Sequence, residues 1–240
     1  MTIALFVLTV AVGALVQSAS GFGFGIFVMM FFPVILPSYG MSVTLSGALS
    51  LACTTVTAFR YRRYIAWKKL WLPSLCFCIV SAVFITLSGG AADSLMKRLL
   101  GAALILLSAY FLFLGSRIRI RPTHTAGAVA GSLSGLLSGL FSTGGPPIVV
   151  YLLAGTESNE EYLATIQAYF TVTNLFALAV RAANGLVTPV VAGYWVVGLL
   201  GIAAGVFLGC RVFHKLNAER LRLVVYLFMA ISGLIMLILG

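Results

Sequence analysis

The chain consists of long apolar stretches separated by short polar ones, and the apolar stretches determine the predicted secondary structure. Most of them run for about 17 or more residues with few charges, which is typical of membrane-spanning helices rather than of barrel strands. The pattern therefore predicts an all-α integral membrane protein. The predicted helical segments are residues 2–19, 26–36, 41–59, 70–88, 99–115, 125–141, 146–155, 162–180, 187–209 and 223–239.

Two of the apolar regions are interrupted by glycine and proline. Residues 20–25 read Ser-Gly-Phe-Gly-Phe-Gly, and residues 142–147 read Ser-Thr-Gly-Gly-Pro-Pro. Glycine and proline in such numbers interrupt helical hydrogen bonding, and lipid cannot satisfy the backbone groups that are freed. These groups must therefore face protein or a water-filled cavity. Two breaks at matching positions of two halves are typical of a transporter's binding site.

The breaks belong to an apparent internal duplication. A shift of 121 residues, the distance from Arg60 to Arg181, superposes the two breaks and places residues 41–59 on residues 162–180. We therefore expect one membrane domain of two repeats, residues 1–119 and 120–240, with about four helices each. Each repeat begins with a re-entrant-like broken segment, because the limb after the second break rises only about 15 Å, half of a hydrocarbon core.

Composition agrees with this class. Of the 240 residues, 61% are hydrophobic and 8% are charged. The formal charge of +10 would suggest nucleic acid as the partner of a soluble protein. Here the basic residues cluster in short loops between apolar runs, so we expect the lipid bilayer as the partner and no binding of nucleic acid. Three loops, at residues 60–69, 117–121 and 211–222, hold twelve of the fifteen Lys and Arg residues.

The positive-inside rule places these three loops in the cytoplasm, which simple crossings of all segments do not allow. The loops share one face if each broken segment enters and leaves the membrane on the same side, and the two repeats are then inverted about an axis in the membrane plane. Both termini then lie outside. The other basic residues, Lys97, Arg98 and Arg181, lie toward the opposite face. We expect a multi-pass cell-membrane protein, such as one of the bacterial inner membrane.

The two breaks and the duplicated four-helix halves resemble the sulfite exporter TauE/SafE family over essentially the whole chain. The resemblance rests on residues 21–25 (Gly-Phe-Gly-Phe-Gly) and on the glycine-rich run of residues 135–147 at mid-chain. Members typically have a run of glycines in each half; here the first run alternates with Phe and the second ends in two prolines. The resemblance implies transport of small sulfur-containing anions such as sulfite or sulfonates.

The residue types at the breaks independently favour an anion site. Breaks that start short helices at Gly25 and Pro146 would aim helix N-termini, each equivalent to about half a positive charge, into the membrane. Hydroxyls and unpaired N–H groups there can replace the water shell of an oxyanion, whereas the alternative is a kink that allows tight packing. The expected substrate-binding residues at the breaks are Ser20, Gly21, Gly23, Gly25, Ser142, Thr143, Gly144 and Gly145.

Helical spacing adds Gln167, Thr171 and Asn174 to the expected site, on one face of segment 162–180. The matching face of segment 41–59 carries hydroxyls and a thiol. Polar faces on membrane helices contact protein or a cavity rather than lipid, and hydrogen bonding between helices is the alternative role. The residues of the matching face are Ser46, Ser50, Cys53 and Thr57.

Arg60 and Arg181 extend these two polar faces toward opposite membrane surfaces. Two roles are open for them. They either attract anions electrostatically to the two mouths of the route or snorkel at the surfaces.

No acid or imidazole is expected at mid-membrane, which argues against proton relay. The residues Asp93, Glu157, Glu160, Glu161, Glu219, His124 and His214 lie in loops or at helix ends. Export by facilitated diffusion is sufficient, because a negative-inside potential drives anions outward. The alternatives are another small organic anion as substrate and uptake coupled to sodium or protons; sodium could bind backbone carbonyls at the breaks.

An enzyme is disfavoured, because no His, Lys or acid is positioned to act as a base for Ser20 or Ser142, and no catalytic residue is expected. No cofactor and no metal site are expected either. A non-transport accessory subunit is the remaining hypothesis.

Two glycine ridges predict close helix packing. Glycines recur every fourth residue from Gly127 to Gly139 and from Gly201 to Gly209. Such ridges let helix backbones approach closely, either within the chain or across the seam of a homodimer.

Overall fold

The apolar segments form helices in the computed structural model of the protein. The structure describes the backbone of residues 2–114, 121–212 and 218–239, and the side chains of residues 3–18, 21–113, 121–208 and 226–238. No strand occurs in this part of the chain. The predicted repeat boundary after residue 119 and the side chains of the basic loop at 211–222 lie outside the described residues, as do Arg117, Arg119 and the side chain of Ser20.

Eleven α-helices are present in the described backbone. They are α1 Thr2–Ser20, α2 Phe24–Met29, α3 Phe32–Ile35, α4 Tyr39–Arg60, α5 Trp67–Ser88, α6 Asp93–Ala109, α7 His124–Phe141, α8 Gly145–Gly155, α9 Asn159–Ala183, α10 Pro189–Val212 and α11 Ala218–Leu239. Within the described residues, five helices are long and apolar enough to cross a membrane: α4, α5, α6, α9 and α10. The protein is therefore a helical, multi-pass membrane protein.

Hydroxyl side chains mark the starts of three helices. Ser38, Thr123 and Ser158 each accept a hydrogen bond from the backbone N–H three residues later, at 3.1–3.2 Å. Such caps satisfy N–H groups that have no partner inside the helix. The starts of α4, α7 and α9 therefore follow from local sequence.

Three segments differ most from the sequence expectation, and one of them is α11, which begins at Ala218 rather than at residue 223. Residues 26–36 were expected to form one limb, but they form α2 and α3 with a turn between them. Pro33 lies in the first turn of α3, where it has no N–H to bond the carbonyl of Met29 and its ring crowds that carbonyl, so α2 cannot continue into α3. Helix α6 begins at Asp93 rather than near residue 99, because the Asp93 carboxylate is favourable in the first turn of a helix. The helix continues as a π-helical turn, Tyr110–Leu114.

The two halves pack in a reciprocal pattern. Helix α1 of the first half packs on α10 of the second, and α7 of the second half packs on α5 of the first. Helices α4 and α9 pack on each other, as do α6 and α11. Each broken segment is therefore held by a long helix of the other half.

The glycine ridges are used inside the chain. A methyl group at Gly131 would overlap the backbone of Pro73 on α5, and one at Gly135 would lie 2.8 Å from the carbonyl oxygen of Phe77. A methyl group at Gly201 would lie 2.8 Å from the carbonyl oxygen of Val7 on α1. Since only glycine fits these approaches, the ridges on α7 and α10 serve the packing of α7 on α5 and of α10 on α1.

Candidate functional site

The first break lies between α1 and α2. Gly21 and Gly23 have φ angles of 79° and 105°, in the left-handed region that side-chain-bearing residues rarely adopt. Gln17, at the end of α1, is buried and its Oε1 accepts the N–H of Phe24 at 3.0 Å. The side-chain amide thus satisfies the first N–H of α2.

Helix α9 holds this break through Gln167. Gln167 Nε2 donates to the carbonyl oxygen of Gly21 at 3.0 Å, and Gln17 Nε2 donates to Gln167 Oε1 at 3.2 Å. Both amides are almost fully buried. The freed carbonyl of Gly21 is therefore satisfied by protein, as the surroundings of a membrane require.

The second break lies between α7 and α8. Ser142 ends α7 with a φ of 57°, and the Ser134 hydroxyl donates to the carbonyl oxygen of Gly144. Helix α8 begins with Gly145 and two prolines, and proline in the first turn is tolerated because its missing N–H would be unpaired there. The chain therefore restarts as a helix whose N-terminus lies at the break.

The two breaks contact each other. A methyl group at Gly25 would overlap the carbonyl oxygen of Ser142, and one at Gly145 would lie 3.4 Å from the Phe22 ring. Residues separated by more than a hundred positions are thus brought together at one place.

A small cavity of about 30 Å³ lies where the breaks meet. Seven of the residues expected at the site line it: Gly23, Gly25, Ser142, Thr143, Gly144, Gly145 and Asn174. The other lining residues are Gln17, Ile26, Ser50, Phe77, Ser134, Ser138, Phe170 and Thr173. The lining contains no charged side chain, and the N-terminus of α8 is the source of positive potential at its wall.

Two hydroxyls at this place have no hydrogen-bond partner among the described residues. Thr143 Oγ1 belongs to a residue that is 1% exposed and lines the cavity, and Ser46 Oγ belongs to a fully buried residue. Ser46 Oγ lies 3.6 Å from the position of a methyl group on Gly25. A buried hydroxyl without a partner is unfavourable, and the Thr143 hydroxyl is available to a ligand, whereas Ser46 is not among the lining residues.

Asn174, which lines the cavity, and Thr171, which does not, both form hydrogen bonds between helices. Asn174 Nδ2 donates to Ser50 Oγ at 3.1 Å, and Thr171 Oγ1 contacts Thr54 Oγ1 at 3.2 Å. Gly21, Gln167 and Thr171 do not line the cavity but support its wall. The side chain of Ser20 lies outside the described residues.

The two arginines are in different surroundings. Arg60 is exposed at the end of α4, whereas Arg181 is 1% exposed, the largest fully buried side chain described. Burial of this kind is incompatible with snorkelling at Arg181, because a snorkelling side chain has its charged group in water.

Sequence reasoning missed Gln17 and the two serines of α7. A single amide in the apolar run, four residues before Gly21, is the signal that could have identified Gln17. Ser134 and Ser138 follow the glycine ridge at helical spacing and line the cavity. No three His, Cys, Asp or Glu side chains cluster as a metal site in the described part of the chain.

The family model described as sulfite exporter TauE/SafE matches residues 5–236, nearly the whole chain. No curated protein and no solved structure matches the chain.

Proposed function

The chain belongs to the sulfite exporter TauE/SafE family, whose members are membrane transporters of sulfite or related anions, and from this premise we propose that it exports small sulfur-containing oxyanions through the cavity between its two broken segments. The substrates are sulfite and small sulfonates. The anion enters from the cytoplasm and leaves on the opposite side of a bacterial inner membrane.

The meeting of the two breaks is the observation that carries this proposal. The breaks meet at a cavity whose lining has donors and no charged residue. An oxyanion leaving water needs replacement donors, and the Thr143 hydroxyl and the N-terminus of α8 provide them. Ser142 and Asn174 complete the polar wall.

Inverted repeats of residues 1–119 and 120–240 account for the reciprocal packing of the helices. Under the 121-residue shift, the α1–α10 contact corresponds to the α7–α5 contact, and the α4–α9 and α6–α11 contacts correspond to themselves. A two-fold axis in the membrane plane produces this relation and puts both termini outside.

In this proposal Arg60, exposed at the end of α4, supplies positive charge at one mouth of the route, and Arg181, buried near the end of α9, supplies it inside the other. Charges at a mouth raise the local concentration of anions. Because a negative-inside potential adds about 2.3 kcal/mol per charge for each 100 mV, export needs no coupling ion.

Flux from liposomes that contain only the purified protein tests this function. An outward gradient of sulfite, sulfate or a small sulfonate is applied, with empty liposomes as the control. Sulfite efflux well above the control is expected. Efflux of only an unrelated organic anion would contradict the substrate assignment, and absence of any flux would favour an accessory role.

A further inference from the structure

Arg181 has an incomplete set of partners. Its Nη2 donates to the carbonyl oxygens of Ser138 and Gly139, at 3.0 and 3.3 Å, in the last turn of α7. Both hydrogen bonds described for the guanidinium come from Nη2. A guanidinium has five N–H donors, so several remain for a ligand.

The charge of Arg181 is also uncompensated. Within the described residues, no carboxylate forms an ion pair with it. Helix-terminal carbonyls stabilise a cation only partly, and a buried charge without a counterion is costly. An anion bound here would supply the missing counterion.

A second cavity of about 60 Å³ adjoins Arg181. It is lined by Tyr39, Ser88, Asp93 and Leu186 among others. Asp93 is exposed, and its Oδ2 accepts the N–H of Tyr39 at 2.9 Å. The carboxylate is thus held at the outer edge of this cavity while the guanidinium lies at its buried end.

Gly47 lies close to both Arg181 and Ser142, although it lines neither cavity. A methyl group on Gly47 would lie 3.3 Å from Arg181 Nη1 and 3.6 Å from Ser142 Oγ. A direct path from the guanidinium to this hydroxyl therefore runs past Gly47, where a side chain would fill the narrow gap between them.

We propose that Arg181 forms a second oxyanion-binding station, in series with the site between the breaks and connected to it past Gly47. The inference rests on the proposed function and takes the same class of anion. Arg181 Nη1 and Nε donate to the oxyanion, while Nη2 remains bound to the end of α7.

Equilibrium binding of radiolabelled sulfite to the purified full chain in nanodiscs tests the second station. We expect two sites per chain in the native protein and one in Arg181→Gln, with affinity at the lost station falling about tenfold or more, the scale of one charge-assisted hydrogen bond. Arg181→Lys keeps the charge and should recover part of that affinity. Lys97→Gln, which removes a positive charge outside the cavity lining, should keep two sites.

The outcomes separate the two proposals. One native site that Arg181→Gln leaves intact would overturn the second station and keep the proposed function. No sulfite binding to the native protein would overturn both. Thermal unfolding of each variant shows whether it is folded.

Gly47→Ala tests the connection without removing any donor. The added methyl group should keep both binding sites but reduce sulfite flux about tenfold, as a misfit close to the transferred group can. Gly193→Ala is the matched control, because a methyl group there meets no atom within 4 Å. Native flux in a folded Gly47→Ala protein would overturn the connection past Gly47.

Asp93→Asn tests the electrostatics of the same cavity. Removing the carboxylate charge should strengthen sulfite binding at Arg181 by about twofold to fivefold, the range of one partly exposed charge interaction. Unchanged or weaker binding would contradict an anion in this cavity.

Discussion

At the scale of single residues, four buried hydroxyls stand apart because they lack hydrogen-bond partners among the described residues: those of Ser46, Ser74, Thr143 and Tyr169. Each such group costs about 1–3 kcal/mol in the free protein. Thr143 lines the cavity, while Ser74, on α5, does not. Thr143 and Ser74 therefore allow a comparison between an unpartnered hydroxyl that has a proposed ligand and one that has none.

Thr143→Val should stabilise the free protein by about 1 kcal/mol and weaken sulfite binding about tenfold, because a buried donor without a partner is removed while the shape is nearly kept. Thermal unfolding and sulfite binding measure the two effects. Ser74→Ala is the matched control and should stabilise without changing the binding. Native sulfite affinity in folded Thr143→Val would remove this hydroxyl from the proposed site.

Residue roles could be predicted from sequence only in part. The positions of Ser142, Thr143 and the glycines follow from the breaks themselves, because glycine and proline mark them directly. The role of Gln17 depends on Gln167, 150 positions away, and on the fold that brings them together. The burial of Arg181 likewise depends on contact with the end of α7. The pattern of polar residues along α9 gives no information about that contact.

At the scale of elements, the first break is held by buried side-chain amides as well as by backbone hydrogen bonds. Gln17 satisfies the N–H of Phe24 and contacts the carbonyl of Gly21. A break inside a membrane needs such partners because lipid supplies none. The stability of the α1–α2 segment therefore depends on this amide.

Gln17→Leu should destabilise the protein by about 2 kcal/mol or more, because the N–H of Phe24 and the amide of Gln167 each lose a partner in a buried place. Denaturant unfolding in detergent measures the change. Thr9→Val is the control on the same helix, since among the described residues the Thr9 hydroxyl bonds only to the Leu5 carbonyl within α1. Equal stability of Gln17→Leu and Thr9→Val would contradict the role of Gln17.

Helix positions were predicted within a few residues where hydrophobic runs and caps agree, as for α4, α7 and α9. The division between α2 and α3 was not, because the apolar run continues through Pro33 and its effect on the preceding turn depends on local packing. The π-helical turn at Tyr110–Leu114 was missed for a similar reason: no residue type marks it.

At the scale of the whole molecule, contacts group the loops in two sets. Lys69 pairs with Glu161 at 2.7 Å, and the N–H of Ala66 donates to Thr165 Oγ1 at 3.0 Å, so the starts of α5 and α9 lie together. Asp93 and Arg181 line one cavity with Tyr39. This grouping is the one that inverted repeats require, with residues 60–69 and 157–161 on one face.

Accessibility of single cysteines should follow the same grouping. In a background with Cys53, Cys76, Cys78 and Cys210 replaced by alanine, an impermeant maleimide should label Arg63→Cys and Asn159→Cys only in inside-out vesicles. Gly90→Cys and Ala183→Cys should be labelled only in right-side-out vesicles. All four positions are exposed. Labelling of residues 63 and 159 from opposite sides would contradict the inverted arrangement.

Sulfite flux under a clamped membrane potential tests the central claim most directly. Native protein and the folded Ser142→Ala/Thr143→Ala variant are compared in liposomes without sodium or proton gradients, first at zero potential and then negative-inside. We predict native efflux that rises with the potential and is lost in the variant. Native efflux that begins only when sodium or a proton gradient is added, or equal efflux in the two proteins, would contradict uncoupled export through the site between the breaks.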